Sequence, residues 1–160
     1  MENKETRLSD LLKEKFVELD LKEDNKPGII SELVGLIGKS PRVKNKKALS
    51  KAMLEREKLG STAIGNGAAI PHVKTDGVKD FILAFARKTD GVNFESLDGE
   101  KTYIFFVLAS PKDMVGPHLK TLASISRLVK DKFTVELLRK AAAKKDVLKI
   151  IAAAEASLSR

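Results

Sequence analysis

Two apolar runs constrain the fold of this chain more than any other feature: "FILAFARK" at residues 81–88 and "TYIFFVLAS" at residues 102–110. A strand with one face in water alternates apolar and polar residues. A short run that is apolar at successive positions and rich in β-formers belongs to a strand covered on both faces. The covering layers must come from elsewhere in the chain. Between the two runs, "TDGVNFESLDGE" carries two Asp-Gly pairs, which read as turns.

The flanking sequence offers helices to do the covering. Upstream, "FVELDL" at residues 16–21 alternates Val17, Leu19 and Leu21 with acidic residues, the period of a half-buried strand. "NKPGIISELVGLIGKS" then spaces Ile29, Ile30, Leu33, Val34, Leu36 and Ile37 for a helix, with Pro27 at its start and Gly38 at its end. "NKKALSKAMLEREKLG" offers Asn45 as a cap, Leu49, Ala52, Met53 and Arg56 along one side, and Gly60 as a stop. From Gly116 onward, Leu119, Leu122, Ala123, Ser126 and Val129 predict a stripe on a helix with Pro117 in its first turn. "FTVELLRKA" and "KKDVLKIIAAAEA" supply two more helical segments. With 160 residues, no linker and no repeat, this order predicts one α/β domain with its sheet covered by helices. The expected division is a polar N-terminal tail over residues 1–7 and the domain over residues 8–156.

Several function classes fall away on composition. Cysteine is absent, which excludes disulfides, thiolate catalysis and cysteine-ligated zinc. No stretch approaches the roughly 18 apolar residues of a membrane span, and "MENKETRLSD" is no secretory signal; the expectation is a cytoplasmic protein without direct membrane insertion. The net charge of +8 raises nucleic acid as a partner. The lysines, however, are interleaved with acids outside "KSPRVKNKK" at residues 39–47, and one Tyr with no Trp leaves few platforms for stacking bases. Nucleic acid is therefore not expected as a partner, and a solvated basic surface or an acidic protein partner is the preferred reading.

The chemistry concentrates in "GSTAIGNGAAIPHVK", residues 60–74, with three glycines, Pro71 and His72, one of only two histidines. It is not a P-loop, because Asn66 and Gly67 stand where lysine and a hydroxyl residue are required. It is not a dinucleotide fingerprint either, since Ile70 replaces the third glycine. No serine-hydrolase elbow exists. Two histidines without cysteine or suitably spaced carboxylates make a poor metal site. What remains is a flexible backbone with N–H groups able to hold an anion, and a histidine held by a preceding proline. His118 follows the second apolar run, near the start of the next helix. If the connecting segments converge at the strand ends, the two histidines share a pocket.

A neutral imidazole attacks phosphorus, and the N–P bond formed is labile enough to pass the group on. Such a site needs donors and a cation around three charged oxygens. Gly65, Asn66 and Gly67 offer backbone N–H groups, Ser61 and Thr62 hydroxyls, Arg56 a fixed positive fork, and His118 a second imidazole. The same residues also admit plainer roles: a bystander loop histidine, a surface ion pair at Arg56, turn hydroxyls at Ser61 and Thr62. Composition and spacing leave both readings open.

"GSTAIGNGAAIPH" resembles the active-site segment of the EIIA domains of the phosphoenolpyruvate-dependent phosphotransferase system, in the fructose, mannitol and nitrogen-regulatory class. "LEREKLGSTAIG", with Arg56 and Glu57, "FESLDGEKTYIFFVLASP" and "HLKTLASISRLVKD" are similar to further parts of that family, in the expected order over most of residues 8–154. The resemblance implies a mixed β-sheet sandwiched between α-helices, and a phosphocarrier whose His72 accepts a phosphoryl group from an HPr-like protein, with His118 as second active-site histidine and Arg56 close by. It implies onward transfer to an EIIB cysteine or a regulatory signal read by protein targets, with no cofactor. The wording "GSTAIGNG" leans toward the nitrogen-regulatory subgroup over sugar uptake. A binding module without onward transfer is the alternative. Ala63, Ala68 and Val73 depart from the family's usual residues, and none removes a reactive group.

Overall fold

The two apolar runs form an antiparallel pair at the centre of the sheet, β5 (Ile82–Val92) and β6 (Thr102–Ser110), in the computed structural model, which describes residues 7–158. Of the expected tail over residues 1–7, only Arg7 falls among the described residues. Beside β5 lies the short parallel strand β1 (Val17–Glu18). On its other side β6 carries β3 (Ala68–Ala69) and β4 (His72–Lys74), both parallel to it and successive along its length. The edge strand β2 (Ala63–Gly65) runs antiparallel to β3, so the sheet order is β1-β5-β6-β3-β2 with β4 also on β6.

Ile104, Phe105, Phe106, Val107 and Leu108 are all fully buried, so both faces of β6 are covered. Phe85 against Phe106 and Phe94 against Phe105 pack edge-to-face, at 5.2 and 5.1 Å between centroids. The helices divide into two packed groups. One contains α2 (Lys26–Ile37) and α3 (Lys46–Lys58), lying against β5 and β4 respectively. The other contains α1 (Leu8–Leu11), α4 (Val115–Lys130), α5 (Lys132–Lys140) and α6 (Lys144–Leu158), with α4 and α5 on β6. Capping agrees with the sequence: Asn25 accepts the Gly28 N–H at 2.8 Å and Asn45 the Ala48 N–H at 3.0 Å.

Three expectations need correction. Strand pairing over residues 16–21 is confined to Val17 and Glu18, because a 3₁₀ turn, Glu14–Phe16, leads into it. The alternation is still real, with Val17 and Leu21 buried and the Leu21 N–H on the Arg87 carbonyl at 2.9 Å. The buried face of α4 is His118, Thr121, Ile125, Leu128 and Val129, about one residue away from the predicted stripe, and Leu119 is 59% exposed.

The third correction concerns Asp90-Gly91, which lies inside β5, where the register with β6 shifts between Arg87 and Val92, and is not a chain reversal. Gly91 has φ +77°, and a Cβ there would lie 2.7 Å from the Tyr103 ring. Gly91→Ala is expected to lose about 1–2 kcal/mol of unfolding free energy to the left-handed backbone alone, read from urea titration. Gly99 also has positive φ (+75°) but open space around it, so Gly99→Ala should lose less.

Candidate active site

The glycine-rich segment is a β-hairpin, not a loop. Asn66 and Gly67 take φ +58° and +78°, the left-handed pair that an Asn-Gly hairpin turn requires, between β2 and β3. The chain then extends along β6 through β3 and β4, interrupted at Ile70 and Pro71. Proline has no N–H to give a ladder, but its carbonyl accepts the Leu108 N–H at 3.0 Å, so the strand resumes at once.

His72 lies in β4 opposite Leu108 and is partly exposed. Its Nδ1 lies 2.6 Å from the Ile70 carbonyl oxygen. A carbonyl only accepts, so Nδ1 carries the proton and Nε2 holds the free lone pair. Burial lowers the His72 pKa, the Ile70 hydrogen bond opposes this, and the Arg56 charge lowers it further. At neutral pH the ring is therefore uncharged.

His118 sits in the first turns of α4, 2% exposed, with its ring centroid 5.9 Å from that of His72 and the planes tilted by 53°. The fully buried Ser110 hydroxyl is 2.6 Å from its Nδ1. Burial first, then the neighbouring His72 and Lys74, push its pKa down to about 4. The predicted convergence of the two histidines is thus found.

Arg56, partly buried on the last turn of α3, donates to the Gly60 carbonyl at 3.1 Å. It lines a groove of ≈ 560 Å³ between α3 and β4, together with Leu59, Val73, Lys74 and Lys112. Val73, one of the three departures from the family pattern, is buried here; Ala63 and Ala68 are fully buried in the hairpin.

The hairpin tip, with three of the predicted supports, is not brought to His72. Ala68 pairs with Ile104 and His72 with Leu108. Four residues of strand, roughly 13 Å, therefore separate the hairpin tip from the histidine. Gly65, Asn66 and Gly67 stand at that far end. The Asn66 N–H donates to Asp98 at 3.2 Å, its side-chain amide to the Val129 carbonyl at 2.9 Å, and Asn66 and Gly67 line a separate cleft with Tyr103 and Arg139. The hydroxyls have other partners as well: Ser61 donates to the Phe94 carbonyl at 2.8 Å, and the buried Thr62 donates to Glu57. A hairpin holds its polar groups in fixed partners, where a loose loop would have left them free. Ser110 carries little signal in the sequence, only a hydroxyl ending an apolar strand. Among the described residues no group of three or more His, Cys, Asp or Glu side chains gathers to hold a metal ion.

Residues 10–154 match the family described as phosphoenolpyruvate-dependent sugar phosphotransferase system, EIIA 2. The chain belongs to this EIIA family. A nitrogen regulatory protein of Bradyrhizobium diazoefficiens is 35% identical over 132 residues, 82% of this chain and 86% of that protein. The fructose-specific EIIA component of Haloferax volcanii is 31% identical over 147 residues, 92% and 96% of the two chains. The chain spans 19% of the fructose-specific EIIABC component of Bacillus subtilis, at 35% identity over 123 residues. Among solved structures, the nitrogen regulatory protein IIA-Ntr of Neisseria meningitidis superposes with a TM-score of 0.80 at 27% identity, covering 90% of this chain and 98% of that one. The Escherichia coli complex of enzyme IIA mannitol with phosphorylated enzyme IIB mannitol shares the fold, at 23% identity and a TM-score of 0.77 over 89% of this chain and 99% of that one. As an EIIA family member the chain is a phosphotransferase-system component. Among its described residues no helix is long and apolar enough to cross a membrane.

Proposed function

We propose that this EIIA chain is a phosphocarrier in which His72 accepts a phosphoryl group from an HPr-like histidine phosphocarrier. The observation that carries the reading is the pairing of two neutral imidazoles, one partly exposed with Nε2 free, the other buried beside it. The Nε2 lone pair of His72 attacks phosphorus in line, a new N–P bond forms, and the donor's N–P bond breaks as its imidazole departs. The proton stays on Nδ1, donated to the Ile70 carbonyl, so no proton has to move.

His118 supports the transferred group. With the Ser110 hydroxyl donating to Nδ1, its Nε2–H is left to bond a phosphoryl oxygen, and its neutrality avoids a buried charge before the group arrives. Arg56 and Lys74, whose charges both reach the His72 ring, supply the cations. Onward transfer goes to a cysteine of an EIIB domain, in keeping with a neighbour solved with phosphorylated IIB. The nitrogen regulatory relatives support the other use, in which protein targets read the phosphorylation state, and this use is favoured over sugar uptake.

Intact mass after incubation with phosphoenolpyruvate, enzyme I and an HPr-like donor tests the proposal. The expected result is an acid-labile gain of one phosphoryl group. No gain with either a sugar-branch or a nitrogen-branch donor would leave a binding module without transfer.

A further inference from the structure

Glu57 is buried, 8% exposed, on the last turn of α3. A buried carboxylate needs partners, and Glu57 has three. Lys26 Nζ lies 2.8 Å from Oε2 and 4.8 Å from the Phe94 ring centroid. The Thr62 hydroxyl donates to Oε1, and the Thr62 N–H reaches Oε2 at 3.4 Å. Two bonds thus hold one residue of the segment that enters the edge strand β2.

The other side of Thr62 faces the site. Its carbonyl accepts the Ile70 N–H at 2.9 Å, and the Ile70 carbonyl in turn accepts the His72 Nδ1–H at 2.6 Å. Ile70 precedes a proline, which confines it to extended backbone. Once its N–H is anchored, the direction of its carbonyl follows. We infer that Glu57 and Thr62 are positioning residues for His72: they fix the Ile70 carbonyl that selects its Nδ1–H tautomer and so leave Nε2 as the nucleophilic nitrogen. Neither residue touches the reacting atoms. The kinetic consequence rests on His72 being the phosphoryl acceptor, but the tautomer does not.

The test reads the tautomer directly, by two-bond ¹H–¹⁵N correlation of the His72 ring at pH 7.5, in wild type, Thr62→Val, Thr62→Ser and Glu57→Gln. Wild type and Thr62→Ser, which keeps the hydroxyl, should show Nδ1–H alone. Thr62→Val and Glu57→Gln act on opposite sides of the same contact, so one failing to fold leaves the other. Each, shown folded by circular dichroism, should show a mixture of tautomers. Phosphoryl acceptance should be about tenfold slower, the effect of losing one orienting hydrogen bond. Folded variants with His72 still purely Nδ1–H overturn the inference, whatever their rates. A wild type that accepts no phosphoryl group removes the proposed function instead, and the tautomer still decides this one.

Discussion

His72→Gln is expected to reduce phosphoryl acceptance to background, a loss on the order of 10⁴-fold or more, with the fold intact. Glutamine has no ring nitrogen to attack phosphorus. The side chain it replaces is partly exposed and makes one hydrogen bond, to Ile70, so the stability cost is about 1 kcal/mol. For a domain of this size that moves the melting temperature by about 2–4 °C. His118→Gln should behave differently. It removes a donor to the phosphoryl oxygens and not the nucleophile, so acceptance should fall about 10²-fold and remain measurable. Exposure is the ground for the proposed roles: His118, at 2% exposed and with Nδ1 against the Ser110 hydroxyl, offers a docked donor no approach. Radiolabelled transfer from phosphoenolpyruvate through enzyme I and the HPr-like donor measures both variants in one assay. Acceptance surviving in His72→Gln but lost in His118→Gln would exchange the two roles.

The two histidines were legible because each stands next to a feature with its own signature. Pro71 and the apolar run ending at Ser110 place their flanks at strand ends, where sites gather. The hairpin was less legible. Asn66-Gly67 is a strong turn signal, but a segment with three glycines also fits a flexible anion-binding loop, and only the pairing of the strands along β6 sets the hairpin tip apart from His72. Glu57 and Ser110 act through contacts between elements, Glu57 across the entry to β2 and Ser110 from β6 to α4, and no local spacing encodes that. The offset on α4 has a physical origin. Its buried face begins with the polar His118 and Thr121, while the apolar Leu119 is turned outward. A hydrophobic stripe drawn through that helix is pulled off the true face where the site begins, which is where local rules are expected to break.

Acidification from pH 7 to 4.5 should lower the unfolding free energy, and His118 should account for most of the loss. An imidazole in the unfolded chain titrates near 6.5, whereas His118 in the fold is held down to about 4 by burial, by His72 and by Lys74. Between those values the unfolded chain binds the proton that the folded one refuses, so stability falls as pH falls. The loss begins as pH drops through about 6.5 and is complete below about 4. By pH 4.5 it amounts to roughly 2–3 kcal/mol for one group, a large part of a typical domain's 5–15 kcal/mol. His72, lowered in the same direction, adds to the slope. The depressed carboxyls of Asp20, Asp90 and Asp98 act in a lower window, since their stabilisation is lost only as pH falls below about 4. Urea titrations at pH 7 and pH 4.5 on wild type and His118→Gln separate the contributions. Glutamine cannot take the proton, so the variant should lose far less over that interval, even if it begins less stable. An equal loss in both proteins would mean that His118 is charged as readily in the fold as in the unfolded chain, and the neutral donor required for phosphoryl support would go with it.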